Sequence, residues 1–322
     1  MKKREAGGNF LKKLLISFLF ICFLYLLVFP EDSLSAARNG LLLWYGSVLP
    51  VLFPFLVISG ILLQLEGFSV LLRFLYRPFH FLFGVSYYGS FAVLSGFLCG
   101  FPAGAKITKD LQEQGFITSR EARHLYGFVN NLSPGFLVSY AAAGQLNRPE
   151  LSGLLLAAVL GAPLCYGVLT GRQRKKETLF SSPALFLASG KKDFSQVLDE
   201  SIWNASVSVL KLGGYITLFC ILSDAAGKLP FSGSLPGLLF CSSLEVTGGI
   251  RLICQSGLSW SLQLLLLTAL CIFGGFSALA QTAGIARMSF FTLIYYIKSR
   301  VLCTLLGVSF LLCWLLFCFF LR

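Results

Sequence analysis

The chain has 322 residues, of which 56% are hydrophobic and 12% charged, and its formal net charge is +12. A soluble globular domain carries roughly 25% charged residues, so the composition excludes that class and points to an integral membrane protein. The cations sit at the ends of apolar segments, the bias expected of cytoplasmic loops, which argues against nucleic acid as a partner.

In chain order, Lys2, Lys3, Arg4, Lys12 and Lys13 precede an apolar run at 14–29. No small-residue cleavage site follows before Pro30, so this reads as a retained first helix with a cytoplasmic N-terminus. The run 41–65 reads as a second span. Pro50 and Pro54 lie in it and are tolerated where neighbouring helices satisfy the freed carbonyls. Residues 68–83 carry Arg73, Arg77 and His80 among aromatics and predict an amphipathic helix in the interface. The stretch 87–107 is apolar, glycine-rich and basic on both flanks, which predicts a re-entrant hairpin with both ends on one side. Thr118-Ser119-Arg120-Glu121 is a helix start with Ser or Thr as its N-cap.

The run 125–145 then crosses, broken at NNLSPG over 130–135. Such residues at membrane depth make sense where backbone lines a cavity. The run 151–170 returns to Arg172, Arg174, Lys175 and Lys176, and a polar linker follows at 177–193. The second half repeats the order. A span at 201–222 leads to a loop at 223–234, a hairpin at 235–254 and a span at 260–285 broken at GGFS over 274–277. An interfacial stretch at 287–300 and a last span at 301–321 complete it.

The two hairpins contain matching small-residue blocks, GFPAGAKI at 100–107 and EVTGGIRL at 245–252, each ending near a cation, Lys106 or Arg251. Paired interruptions of this kind in two halves of a membrane protein point to a solute site. The expected fold is an all-α polytopic membrane protein of about seven spans, an inverted-topology repeat with two re-entrant hairpins and two broken helices. Its parts are 1–38 (cytoplasmic tail and first transmembrane helix), 39–176 (first repeat), 177–198 (cytoplasmic linker) and 199–322 (second, inverted repeat).

The candidate substrate-binding residues come from these blocks. Phe101, Pro102, Ala103 and Gly104 lie at the first tip, and Thr247, Gly248 and Gly249 at the second. The N-terminus of each second arm offers unpaired N–H groups and a positive dipole end to an anion. Lys106, Lys211 and Arg251 are charges in apolar surroundings, functional by default at membrane depth, although Lys106 also suits an anchor at the membrane boundary. Glu245 is either a partner for Arg251 or Lys211, or a site for a coupling proton or cation. Asn130, Asn131, Ser133, Ser277 and Gln281 supply neutral donors and acceptors at the two breaks.

Ten cysteines are scattered without CxxC spacing, and His80 and His124 stand apart. No disulfide framework, metal site or cofactor is expected. There is no HExxH, Walker loop or GxSxG, so the chain does not read as an enzyme.

The blocks SGFLCGFPAGAKITKDL, EARHLYGFVNNLSPGFL, LEVTGGI and GGFSALAQ resemble the sporulation integral membrane protein family YlbJ, over 41 to about 307. That family belongs to the nucleoside-recognition or Gate-domain group, similar in design to concentrative nucleoside transporters. The resemblance implies that 39–176 and 199–322 are Gate-type repeats. It also implies transport of a small solute during endospore formation, in the mother-cell or outer forespore membrane, with dipicolinate as the linked substrate. A small carboxylate and membrane lipid are the expected partners. A coupling ion and a homo-oligomer stay open, as do the alternatives of a nucleoside carrier and a non-transporting scaffold of a sporulation complex.

Overall fold

The computed structural model describes residues 2–64, 68–172 and 193–320. Among them there are helices and turns and no strand. Of the predicted linker at 177–198, residues 177–192 lie outside the described residues, with Arg174, Lys175 and Lys176, as do the side chains of Lys2, Lys3, Arg4, Lys12, Arg73 and Arg172.

The chain opens with α1 (Lys2–Val28) and α2 (Pro30–Leu43). Pro30 starts α2 where its missing N–H costs nothing, and the two axes meet at 105° across that point. A π-helical turn (Trp44–Val48) leads into α3 (Leu49–Gln64), and α4 (Phe68–Phe83) fills the place of the predicted interfacial helix. The first hairpin is α5 (Tyr87–Cys99) and α6 (Ala103–Glu113). The first broken helix is α7 (Ser119–Tyr126), an extended break, and a π-helical segment (Phe136–Gln145), and α8 (Ser152–Arg172) ends the half. Thr118 caps α7 as the sequence predicts, its hydroxyl accepting from the Glu121 N–H at 3.1 Å. The second half runs α9 (Phe194–Gly227), the hairpin α10 (Leu235–Leu244) and α11 (Val246–Gln255), and the broken helix α12 (Trp260–Phe273) and α13 (Gly275–Ile285). The long α14 (Phe290–Phe320) closes the chain.

Two expectations change. Among the described residues four helices are long and apolar enough to cross a membrane, or up to six if each bent pair counts as one, against about seven expected. The run 41–65 accounts for part of this, because the π turn divides it and leaves α3 with 16 residues. The separate interfacial stretch at 287–300 and span at 301–321 form one 31-residue helix, α14. No glycine or proline interrupts its first half before Gly307, so nothing ends the helix at Arg300.

Each hairpin is seated on the break of the helix that follows it. Gly96 and Gly104 face the Val129 carbonyl so closely that a Cβ would lie 1.9 and 2.2 Å from its oxygen. The arms α5 and α6 thereby cross directly over the first break. In the second half, a Cβ on Gly275 would lie 2.7 Å from the Ser243 carbonyl at the end of α10. Gly274, which ends α12, has φ +88°, a left-handed conformation that suits glycine. The Phe101 ring of the first tip reaches this second break, 3.7 Å from where a Gly274 Cβ would stand.

Candidate functional site

Three cavities follow one another along α9, which acts as their common wall. Near its N-terminal end, Ser201, Asn204, Ala205, Ser208 and Lys211 line a proximal groove. In its middle, Leu212 and Ile216 line a central cavity of about 440 Å³. Toward its C-terminal end, Cys220, Ser223, Asp224 and Gly227 line a distal vestibule of about 600 Å³.

The central cavity is where both halves converge. The first tip contributes Gly100 and Phe101, and the first broken helix contributes Ser133, Ser139 and Tyr140. The second tip contributes Glu245, Val246 and Thr247, and the second broken helix contributes Ser277 and Gln281. Local bonds fix several of these groups. Ser133 Oγ accepts from the Phe136 N–H at 3.3 Å and starts the π-helical segment. The wider turn of that segment directs Ser139 and Tyr140 to the cavity, and such π insertions are frequent at functional sites. Tyr140 donates to the Thr247 carbonyl at 2.9 Å, tying the first broken helix to the second tip. Gln281 Nε2 donates to Ser277 Oγ at 2.6 Å across one turn of α13.

Among the described residues, Glu245 is the one charged side chain lining this cavity. It is 3% exposed, and its Oε2 accepts from the Gly248 N–H at 2.7 Å. It is therefore the N-cap of α11 and occupies the positive helix end expected to receive a substrate anion. The corresponding N-terminus of α6 has no side-chain cap. Glu245 lines the distal vestibule as well as the central cavity, so it stands at their junction. Between the central cavity and the proximal groove lies an apolar layer of Leu52, Leu56, Ala103, Ala205, Val209, Leu212 and Ile216.

Several predicted site residues are placed elsewhere. Lys106 and Arg251 do not meet at the tips. Lys106 lines the proximal groove, its Nζ 2.6 Å from Asp110, while Arg251 is exposed in the distal vestibule. Each cation follows its tip by one helical turn, and the two hairpins point toward opposite ends of α9. Lys211 is exposed to the proximal groove and pairs with neither Glu245 nor an anion site in the central cavity. Ala103 and Pro102 are buried, Ala103 in the apolar layer. Gly104 and Gly249 serve close helix crossings, Gly249 against the Ser242 carbonyl. Gly248 faces the vestibule.

Asn130 and Asn131 are each 1% exposed and line none of the three cavities. Asn130 Nδ2 donates to Thr282 Oγ1 at 2.7 Å and to the Tyr296 hydroxyl at 2.9 Å. Asn131 Nδ2 donates to the Phe128 carbonyl at 2.8 Å. They tie the first break to α13 and α14 rather than facing solute.

The sequence reading missed Arg300. It is 2% exposed. Its Nη1 donates to Asn131 Oδ1 at 3.1 Å and its Nε to the Ile272 carbonyl at 3.0 Å, with Nη2 donating to the same carbonyl. Ile272 is in the last turn of α12, whose carbonyls lack intrahelical donors. Arg300 thus caps one broken helix and holds the other. The available signal was a stripe at three- and four-residue spacing, Tyr296, Arg300, Cys303, Gly307 and Leu311, all buried.

At the far end, Tyr25 donates to Asp224 Oδ2 at 2.8 Å, and Lys228 pairs with Asp32 and, at 3.8 Å, with Asp224. These contacts bind α1 and α2 to the rim of the vestibule. Among the described residues, no group of three or more His, Cys, Asp or Glu side chains is placed to hold a metal ion.

The chain is 29% identical over 294 residues to the sporulation integral membrane protein YlbJ of Bacillus subtilis (strain 168), covering 80% of this chain and 71% of that protein. No family model matches the chain, and no solved structure does.

Proposed function

We propose that this membrane protein, a member of the YlbJ family, carries a small polar or anionic solute across a membrane during endospore formation by alternating access, with dipicolinate as the substrate. The observation that carries this reading is the central cavity. All four interruptions, two hairpin tips and two helix breaks, contribute to a single chamber of about 440 Å³. Hydroxyl and amide groups of Ser139, Tyr140, Thr247, Ser277 and Gln281 line it. Polar groups at membrane depth are costly, and a scaffold has no use for gathering them in one place. An apolar layer lies between the chamber and the proximal groove, and Glu245 lines both the chamber and the distal vestibule, so the chamber has a different boundary toward each end.

One observation favours a second reading. Among the described residues, the only charged side chain lining the chamber is a carboxylate, which suits a neutral polar solute such as a nucleoside better than a dianion. Purified protein in lipid vesicles, offered dipicolinate and uridine side by side, tests both. Uptake of dipicolinate is expected. Uptake of uridine alone makes the protein a nucleoside carrier, and uptake of neither favours a non-transporting scaffold.

A further inference from the structure

Among the described residues no cation lines the central chamber; Lys228 and Arg251 line the distal vestibule, and a larger set lines the proximal groove. There, two adjoining pockets of about 340 and 160 Å³ share Lys106, Lys109, Asn204 and Arg287. Lys211 adds a fourth cation, and Asp110 and Glu113 are the carboxylates present. Four cations therefore face two carboxylates, and three separate elements supply them: α6, α9 and the turn after α13.

The two carboxylates neutralise only part of this set. Asp110 is held by Lys106 at 2.6 Å and Glu113 by Lys109 at 2.5 Å, each across one turn of α6. Among the described residues no carboxylate oxygen lies within 4 Å of Lys211 or Arg287, although the Arg287 charge is felt by Glu113 in the same groove. Lys211 stands near the middle of the 34-residue α9 and is exposed to the groove. Arg287 has φ +45°, a conformation unfavourable for a side chain of its kind. Lys211 and Arg287, neither in a close ion pair, line one pocket that also holds Asn204 and Ser208. Along α9, Trp203, Val207 and Lys211 lie on one face over two turns, about 12 Å at 1.5 Å per residue. The groove thus runs lengthwise from near the helix end to the apolar layer. The same α13 that presents Ser277 and Gln281 to the chamber presents Gly284 and Ile285 to the groove one turn later.

We infer that the proximal groove is a second solute station, which binds a small dicarboxylate through Lys211 and Arg287 on the far side of the apolar layer from the central chamber. This deepens the transport reading and rests on it. Selection for an anion takes place in the groove, and the neutral donors of the chamber receive the solute once the layer opens. The binding chemistry, a pair of oxyanions against two cations, is shared by lipid phosphates, so the lipid composition must be varied in the test.

Calorimetric titration of dipicolinate into the full chain, held in discs of phosphatidylcholine, tests the inference. Two sites are expected for the unaltered protein. Lys211→Gln with Arg287→Gln should remove one, or weaken it at least tenfold. Ser277→Ala with Gln281→Leu should remove the other. Lys211→Arg with Arg287→Lys keeps both charges and should keep the groove site, which separates loss of recognition from loss of fold. Unaltered binding in Lys211→Gln with Arg287→Gln overturns the groove and leaves the chamber standing. A single site, lost in that variant and kept in Ser277→Ala with Gln281→Leu, supports the groove and overturns the chamber. Loss of the groove site alone in discs containing phosphatidylglycerol assigns it to lipid headgroups and overturns the inference.

Discussion

Replacing Arg300 tests whether the two broken helices are held in their shapes by one buried side chain. Arg300→Lys keeps the charge, and with it the desolvation cost, but one ammonium cannot serve the acceptors that the planar fork serves together. Either the Ile272 carbonyl or Asn131 Oδ1 loses its donor. A hydrogen bond to a charged group contributes about 1.5–3 kcal/mol, equivalent to a midpoint shift of roughly 3–9 °C at about 2–3 °C per kcal/mol. Arg300→Met leaves both acceptors unpaired, a cost of about 2–6 kcal/mol, offset in part because no cation is then buried. The carbonyl is fixed at the end of α12 and cannot turn toward another donor. The Met variant is therefore also less stable than the parent. Thermal unfolding in neutral detergent gives the stability, and dipicolinate uptake by vesicles gives the function. Uptake should fall more than the folded fraction does, since the breaks shape the chamber. Parental melting and parental uptake in both variants would refute the reasoning.

Three further outcomes follow from the packing and the charge pattern. Gly104→Val should sharply reduce the monodisperse fraction in gel filtration, because its Cβ would lie 2.2 Å from the Val129 carbonyl oxygen, whereas Gly135→Ala, with nothing within 4 Å, should elute as the parent does. Glu245→Ala should lower stability by about 1 kcal/mol through loss of the α11 cap, measured by thermal unfolding. Glu245→Gln retains an acceptor for Gly248 and should keep exchange while losing accumulation against a gradient if the carboxyl carries a proton. Equal accumulation in Glu245→Gln and parent would remove that role. Single cysteines on a cysteine-free background should be labelled from the cytoplasmic side at Gly115 and from the opposite side at Asn147 and Ser232, following the basic bias of alternate loops. Labelling of Gly115 and Asn147 from one side would break the first-half topology.

The sequence by itself determined the class and the punctuation of this protein. Apolar length and sparse charge require a helical membrane protein, since the bilayer interior admits no unsatisfied backbone. Gly100, Pro134, Gly274 and Gly275 mark the interruptions, and Thr118 marks a helix start, because glycine, proline and capping residues act over a few neighbouring residues. The tertiary structure alone decided which side of each interruption a residue faces. Asn131 and Ser133 are two residues apart in one break. Ser133 lines the chamber, whereas Asn131 turns to Arg300, 169 residues away. The matching cations Lys106 and Arg251 are equivalent in sequence but lie in different cavities, because the hairpins that carry them point to opposite ends of α9. Glu245 reads as a partner for a distant cation, yet the helix beginning beside it takes its carboxylate. Local composition sets where a chain must break, but long-range packing sets what the exposed polar groups meet.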